Sequence, residues 1–388
     1  MKHRAILLTN LLYLESHCFN MKNSEILYYL ILQSAEGIGD INAKKLISHC
    51  GSAQAVIEEK SYILEKIPGI GSYTIKGLKK PSLYHNAEKE LEFINNSNIN
   101  TLTFSDENYP KNLKHCVDGP ILLFQKGTIN LKEQRIISIV GTRMITNYGK
   151  SFLEEFIGEL RRYNPVIISG LAYGIDLYTH QQAIKNKLQT LAVLAHGLDA
   201  IYPKKHKKEA LEMQTNGGLL TEFWSNTNPD RENFVKRNRI VAGLSEATIV
   251  IESATKGGSL ITAGIANSYN RDVFAVPGRT SDEYSKGCNH LIKTNQAALI
   301  NTVEDLAYLL NWENEENKRI TPIQKQLFIE LDENEKTIYD FLLKEGKQNL
   351  DLIALNCKYP IHKTATLLLN LELKGVTKPL PGKIYEAV

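Results

Sequence analysis

The feature of this 388-residue chain that most limits its fold is a series of short apolar runs over residues 131–311, alternating with amphipathic stretches. The runs are continuously apolar and rich in Ile and Val, as strands buried on both faces of a sheet are. Serial βα units of this kind predict a parallel, doubly wound sheet of the α/β class. The predicted strands are Ile136–Val140, Val166–Ile168, Leu191–Ala195, Leu219–Leu220, Thr248–Ile251, Val273–Val276 and Ala298–Ile300.

Smaller units are predicted on either side of this region. Two glycine turns, at residues 37–39 and 68–71, each precede a helical stretch, which is the helix-hairpin-helix pattern. Such glycines let a phosphate approach the backbone, but the same turns also fit a plain helical bundle, and both interpretations stay open. The predicted divisions are an unstructured leader (1–20), a helical helix-hairpin-helix or SAM-like domain (21–80), a connector (81–130), the α/β domain (131–311), an acidic linker (312–334) and a winged-helix domain (335–388).

Composition narrows the class of protein. The 46 Lys and Arg residues exceed the 43 Asp and Glu residues by only three, so a nucleic-acid role has to come from local patches. The five cysteines have no C-x-x-C spacing, which favours reduced thiols in the cytoplasm and argues against a metal site. No apolar run is long enough to span a membrane.

The predicted leader contains an apolar stretch that polar residues interrupt, and Met21 is the predicted native start.

Ligands of doubly wound sheets bind beyond the carboxyl ends of the strands. Five predicted strand ends carry glycines or cations there, and none carries a nucleophile–base–acid set. A dinucleotide fingerprint and a complete P-loop are both missing. Several anion-binding strand ends side by side suit a polyanion that lies along this edge of the sheet. The predicted phosphate-binding residues are Gly141, Thr142, Arg143, Gly170, Lys204, Lys205, Arg237, Asn238, Arg239, Lys256, Gly257, Gly258 and Ser259.

Aromatic and titratable residues near these strand ends each allow two interpretations. Tyr173, Tyr202 and Phe234 can stack on bases, as in single-strand binders, or can pack in the core. Asp176 and His180 share one helix face at i, i+4 spacing. A capping carboxylate and a packed histidine are favoured there over a catalytic pair.

These residues form blocks that resemble one family, the DNA-processing protein A family (DprA, also called Smf). The blocks occur in the family's order over residues 140–295. The matching blocks are Val140–Arg143, Ser169–Asp176, Gly197–Asp199 with Tyr202 and Pro203, Arg237–Ile240 with Ala242–Ser245, Lys256–Ala263 and Ala275–Gly278. The chain departs from the family pattern at His206, where Asn is frequent, and in the Lys-Gly-Gly-Ser form of its last glycine loop.

The resemblance implies a Rossmann-like domain that binds and protects single-stranded DNA, loads the RecA recombinase during natural transformation, and forms homodimers without catalytic activity or a cofactor. It implies that Arg143 is the DNA-contacting arginine of the G-[ST]-R motif. Arg237–Arg239 and Lys256–Ser259 then match the family's R-N-R segment and K-x-G-S loop.

Two other functions compete with this one. A nucleotide N-glycosidase of the lysine-decarboxylase-like group would need a P-G-G-x-G-T-x-x-E motif, and Thr262 and Ala263 stand where its acid is expected. A winged-helix transcriptional regulator would leave the basic strand ends unexplained. Free base released from a nucleoside monophosphate would favour the first alternative, and a preference for duplex DNA would favour the second.

Overall fold

The computed structural model describes residues 23–132, 134–312, 331–380 and 383–387. These described residues fall into two separate compact units, one within the range Met1–Asn314 and one within the range Glu315–Val388. The predicted leader and most of the predicted acidic linker lie outside the described residues. Within the described residues, no helix combines the length and the apolar character needed to cross a membrane.

A nine-stranded sheet forms the centre of the first unit. Its spatial order is β1-β2-β6-β5-β4-β3-β7-β8-β9. The strands from β6 to β9 in this order pair in parallel, while β1 and β2 pair antiparallel with their neighbours. All seven strands predicted from the apolar runs are present, so the mostly parallel α/β class is confirmed. The strands are β1 (Asn100–Thr103), β2 (Leu122–Thr128), β3 (Ile136–Val140), β4 (Val166–Ser169), β5 (Thr190–Val193), β6 (Gly217–Thr221), β7 (Ala247–Val250), β8 (Asp272–Ala275) and β9 (Ala298–Leu299).

Helices surround this sheet and precede it in the chain. Residues 23–34 are helical and are called α1 here. The other helices of the first unit are α2 (Asp40–Cys50), α3 (Ala53–Glu58), α4 (Ser61–Leu64), α5 (Ser72–Leu78), α6 (Pro81–Asn96), α7 (Lys111–Lys114), α8 (Asn147–Leu160), α9 (Ile175–Lys185), α10 (Lys207–Glu212), α11 (Arg231–Leu244), α12 (Gly258–Ser268), α13 (Lys286–Lys293) and α14 (Val303–Leu309).

The central strand β3 shows why its run is almost entirely apolar. Ile137 and Ile139 point to one face and join a hydrophobic cluster with Phe156 of α8. Ile136 and Val140 point to the other face and join a second cluster with Ile240 of α11. Because successive strand residues alternate between faces, a strand covered on both sides is apolar at nearly every position. Ser138 is the polar exception in β3, and its buried hydroxyl is hydrogen-bonded to that of Thr248 at 2.8 Å.

The N-terminal helices share a core with the sheet. Ile31 of α1 and Leu46 of α2 belong to the same hydrophobic cluster as Leu122 of β2 and Leu219 of β6. The boundaries predicted at residues 80 and 130 stay predictions, and this cluster extends across both of them. The helical region and the sheet therefore bury apolar surface against each other, which is the main source of cohesion in a folded unit.

The second unit has a small core of its own. It contains α15 (Glu333–Glu345), β10 (Gln348–Asn349), α16 (Leu350–Cys357), α17 (Ile361–Leu373), β11 (Thr377–Leu380) and β12 (Ile384–Ala387). The three strands form a sheet in the order β10-β12-β11. Ile338, Ile353 and Leu368 bring one residue from each helix into a single hydrophobic cluster.

Candidate nucleic-acid interface

A cleft of about 1010 Å³ opens where the direction of the sheet's connections reverses. From β3 the chain proceeds through β4, β5 and β6 on one side, whereas β7, β8 and β9 continue on the other side. Since β3 and β7 are neighbours, the loops after them separate and leave a crevice, as expected at such a switch point. Gly141, Gly170 and Ser253, which follow β3, β4 and β7 respectively, all line the cleft.

One wall of the cleft is the start of α12. Lys256, Gly257 and Gly258 line it, and Lys256 is exposed. Gly257 is the N-cap residue, and no side chain caps the helix. The Leu260 amide donates to the Gly257 carbonyl at 3.1 Å, whereas the amides of Gly258 and Ser259 at the helix start keep their donors for an outside acceptor. The helix dipole favours an anion beside them.

The opposite wall carries a cation and an aromatic ring. Arg143, exposed after β3, has its guanidinium carbon 5.4 Å from the centre of the Phe234 ring. Phe234 lies on α11, and Tyr202 contacts it edge-on with 6.3 Å between ring centres. The structure thus brings Arg143 and two of the predicted stacking residues together. Tyr173 instead contacts His206, at 4.7 Å.

Arg237 lies beneath the cleft and is almost entirely buried, with 5% of its surface exposed. Its Nη1 donates to the Val193 carbonyl, and its Nε donates to Asn238 Oδ1 at 3.2 Å. Burial lowers the pKa of Arg237 from its usual range, and the Asp176 carboxylate acts against that change. Arg237 therefore contributes positive charge to the cleft floor, while two of its donors are engaged with the protein.

Asp176 and His180 have structural partners. Asp176 Oδ2 accepts a hydrogen bond from the Ala172 amide at 3.2 Å. Both ring nitrogens of His180 lie 2.7 Å from oxygen atoms, those of Gly170 and Thr190. Full burial lowers the pKa of His180 from its usual range. These contacts agree with the packing interpretation of the pair.

The remaining predicted residues are distributed unevenly. Thr142 and Asn238 line the cleft. Ser259 lines it too, but it is buried and its hydroxyl donates to Ser253 at 2.9 Å. Lys204 and Lys205 are exposed on the 3-10 turn that follows Tyr202 and Pro203, outside the cleft lining.

Arg239, a predicted phosphate-binding residue, lies away from the cleft and is paired within the protein. It does not line the cleft, and its guanidinium donates to the Asp118 carbonyl and pairs with Asp40 and Glu222. The Arg-Asn-Arg run lies on a helix, where positions two apart point about 200° away from each other. Arg237 and Arg239 consequently face opposite sides of α11.

Sequence reasoning missed Arg231, which lines the cleft from the first turn of α11 and is exposed. Asp230 and Glu232 flank it, so no cationic run marked the position. The available signal was helical spacing, because Arg231, Phe234, Asn238 and Val241 recur three or four residues apart and all line the cleft.

The electrostatic balance of the cleft favours anions. Among its described lining residues, Arg143, Arg231, Arg237 and Lys256 are cationic, and Asp176 is the one acid. Within the same part of the chain, no three His, Cys, Asp or Glu side chains are grouped as a metal site would require. The cleft can bind phosphates at several points and stack an unpaired ring on Phe234.

Fold and cleft together define an α/β protein with a mostly parallel sheet and a predominantly cationic cleft at the switch point of that sheet. Residues 100–311 match the family described as DNA recombination-mediator protein A, and the chain belongs to that family.

Relatives and solved structures agree with this membership. The chain is 43% identical over 202 residues to DNA processing protein DprA of Bacillus subtilis, covering 52% of this chain and 68% of the relative. An X-ray structure of DprA from Streptococcus pneumoniae is 31% identical, with a TM-score of 0.59, covering 73% of this chain and 97% of that one. A structure describing the single-stranded DNA binding mode of DprA from Helicobacter pylori is 30% identical, with a TM-score of 0.50, covering 55% and 95%.

Proposed function

We propose that this DNA recombination-mediator family member binds single-stranded DNA along the cleft at the switch point. The observation that carries the proposal is the cleft lining, where four cations and an uncapped helix start surround one acid that is already hydrogen-bonded. The Helicobacter pylori neighbour, described by its single-stranded DNA binding mode, supports the same ligand class.

In this proposal each part of the cleft has a separate task. Arg143, Arg231 and Lys256 contact phosphates, because these cations are exposed along the lining. The free amides of Gly257 and Gly258 receive another phosphate oxygen. A base stacks on Phe234, where aromatic stacking contributes about 1–3 kcal/mol per base. Lys204 and Lys205 extend the path beside Tyr202.

The wider role follows from the family. We propose that the DNA-bound protein is a cytoplasmic homodimer that protects the strand and loads the RecA recombinase. The order of three helices and a three-stranded sheet in the second unit supports a winged-helix domain. The N-glycosidase alternative is not favoured, because Asp176, the one acid of the described lining, caps a loop and Thr262 and Ala263 occupy the expected acid positions.

Replacing Arg143 tests the proposal. We expect Arg143→Ala to weaken single-strand binding by about 1 kcal/mol, roughly fivefold, whatever the sequence of the strand. The slope of log K against log salt should fall by about 0.7, the amount expected for one lost phosphate contact. Fluorescence anisotropy titrations of a labelled oligonucleotide at several salt concentrations measure both quantities.

Arg161→Ala is the matched control. Arg161 is also exposed, but it follows the C-terminal end of α8, whereas Arg143 precedes the start of that helix. The control removes the same charge and should leave affinity and salt slope at wild-type values. Equal binding by both variants and the wild type would exclude Arg143 from the site.

A further inference from the structure

A second basic groove, of about 690 Å³, lies on the helical region and shares no lining residue with the cleft. We call it the hairpin groove. One wall is a stripe of α2 at helical spacing, and the other consists of the second glycine turn and the segment from the end of α7. Its lining residues are Ile41, Lys44, Lys45, Ser48, His49, Ile67, Pro68, Lys114, His115, Cys116 and Val117.

The charged side chains of the hairpin groove fall into two groups. Lys44 is half-buried, and its ammonium donates to the carbonyls of Cys116 at 2.9 Å and Val117 at 3.3 Å. Burial lowers the pKa of Lys44. Lys44 therefore supports the groove wall.

The second group is available to a ligand. Lys45, His49, Lys114 and His115 are exposed, and none has an ion pair or side-chain hydrogen bond among the described residues. No acid is among the groove's described lining residues either. Basic side chains from two chain segments thus converge in a groove whose described lining contains no acid, which favours an anionic ligand that bridges them.

The second glycine turn faces Lys45 across the groove. Gly69 has φ +87°, and the Lys45 ammonium lies 3.6 Å from the position that a Cβ of Gly69 would take. The absence of a side chain at Gly69 therefore leaves room for this cation between the two walls. Exposed Ile41 and Val117 add apolar surface to the groove lining. Cationic groups together with apolar surface suit a sugar–phosphate backbone, which presents both anionic oxygens and C–H faces.

We propose that the hairpin groove binds the phosphate backbone of a second nucleic-acid segment, so that one molecule holds nucleic acid at two separate places. This inference rests on the proposed single-strand function of the cleft, which supplies the first place. Lys45 and Lys114 are the principal contacts, one from each wall. The second segment comes either from the same strand beyond the cleft or from a duplex adjoining it.

The test removes both lysines in Lys45→Ala/Lys114→Ala and compares three fluorescent probes. These are a short single strand of about six nucleotides that the cleft alone can hold, a long single strand, and a duplex with a short single-stranded tail. The control, Lys89→Ala/Lys185→Ala, removes the same charge from exposed positions on α6 and α9. Anisotropy titrations at several salt concentrations give affinity and salt slope.

We expect the groove variant to bind the short strand as the wild type does and to lose affinity for a larger probe. Its salt slope should fall by about 1.4 if the long single strand is the ligand, or by about 1.8 if the duplex is. Which probe loses affinity identifies the source of the second segment.

Two results would overturn the inference. One is equal affinity of the groove variant and its control for both larger probes. The other is binding of a labelled glutamate polymer that the groove variant abolishes while every oligonucleotide affinity stays unchanged, which would assign the groove to an acidic protein. Failure of the cleft proposal looks different, because Arg143→Ala would then leave binding of the short strand unaltered.

Discussion

At the scale of single residues, Arg239 shows how neighbours decide the role of a cation. Its guanidinium lies between Asp40 of α2 and Glu222, which follows β6, and it also donates to the Asp118 carbonyl. The acids raise the pKa of Arg239 although burial opposes them. This network connects the helical region to the sheet. Breaking a buried ion pair by removing one partner leaves an uncompensated charge and costs about 3–5 kcal/mol.

Glu222 makes this network sensitive to pH. Burial raises its pKa from 4.5 to about 7, more than the attraction of Arg239 lowers it. The folded protein therefore holds the proton more tightly than the unfolded chain does. The corresponding stability is present below about pH 4.5 and is lost as pH rises toward about 7.

Glu222→Gln should remove this pH dependence. We expect the free energy of unfolding of the wild type to fall across that window by on the order of 2–3 kcal/mol more than that of the variant. Urea unfolding followed by circular dichroism at a series of pH values measures the difference. Glu88→Gln, at an exposed position of α6, should parallel the wild type. Parallel curves for Glu222→Gln and the wild type would contradict the assignment.

At the scale of elements, the turn before α9 positions the Arg143 loop. Gly174, the N-cap of α9, has φ +76°, in the left-handed region. A Cβ there would lie closer than 3.0 Å to backbone atoms of Thr142 and Arg143. The loop after β3 can pass so close to α9 only because position 174 has no side chain.

Gly174→Ala should therefore damage both stability and binding. We expect a loss of at least about 1–2 kcal/mol from the left-handed conformation, plus the collision, and weaker single-strand binding because the Arg143 loop has to move. Gly264→Ala is the control, since nothing lies within 4 Å of a Cβ at this position of α12. That change should be neutral or stabilising by up to about 1 kcal/mol. Thermal unfolding measures the stability of the two variants, and fluorescence anisotropy measures their single-strand affinity. Equal stability and equal affinity of Gly174→Ala and Gly264→Ala would contradict the proposed role of Gly174.

The strands of the sheet could be predicted from the sequence because a strand buried on both faces needs a short, largely apolar run of residues. The run Ile136–Val140 coincides with β3 for that reason. The direction in which each cationic side chain points could not be predicted from the sequence. Arg237 and Arg239 occur in one short basic run, yet the helix turns one toward the cleft and the other toward Asp40 and Glu222. Only the helical phase and the acids of distant segments separate their roles.

At the scale of the whole molecule, the two units bury independent cores. The described core residues of the second unit, among them Ile338 and Leu368, form a cluster without members from the first. The cleft and the hairpin groove are lined entirely by residues of the first unit. The first unit should therefore fold and bind single strands by itself.

Two truncations that differ by four residues test this independence. A chain ending at residue 314 keeps Trp312, which is buried in the cluster beside Phe156 and lies 5.7 Å, between ring centres, from Tyr163. We expect its unfolding temperature and its affinity for a short single strand to match those of the first unit in the full chain. A chain ending at residue 310 loses Trp312 and should be about 3–5 kcal/mol less stable, as truncation of a buried Trp is. Calorimetry measures the stability of both truncated chains, and fluorescence anisotropy measures their affinity for the short strand. Weaker short-strand binding by the chain ending at residue 314 would contradict the independence of the first unit, because the second unit would then contribute to binding.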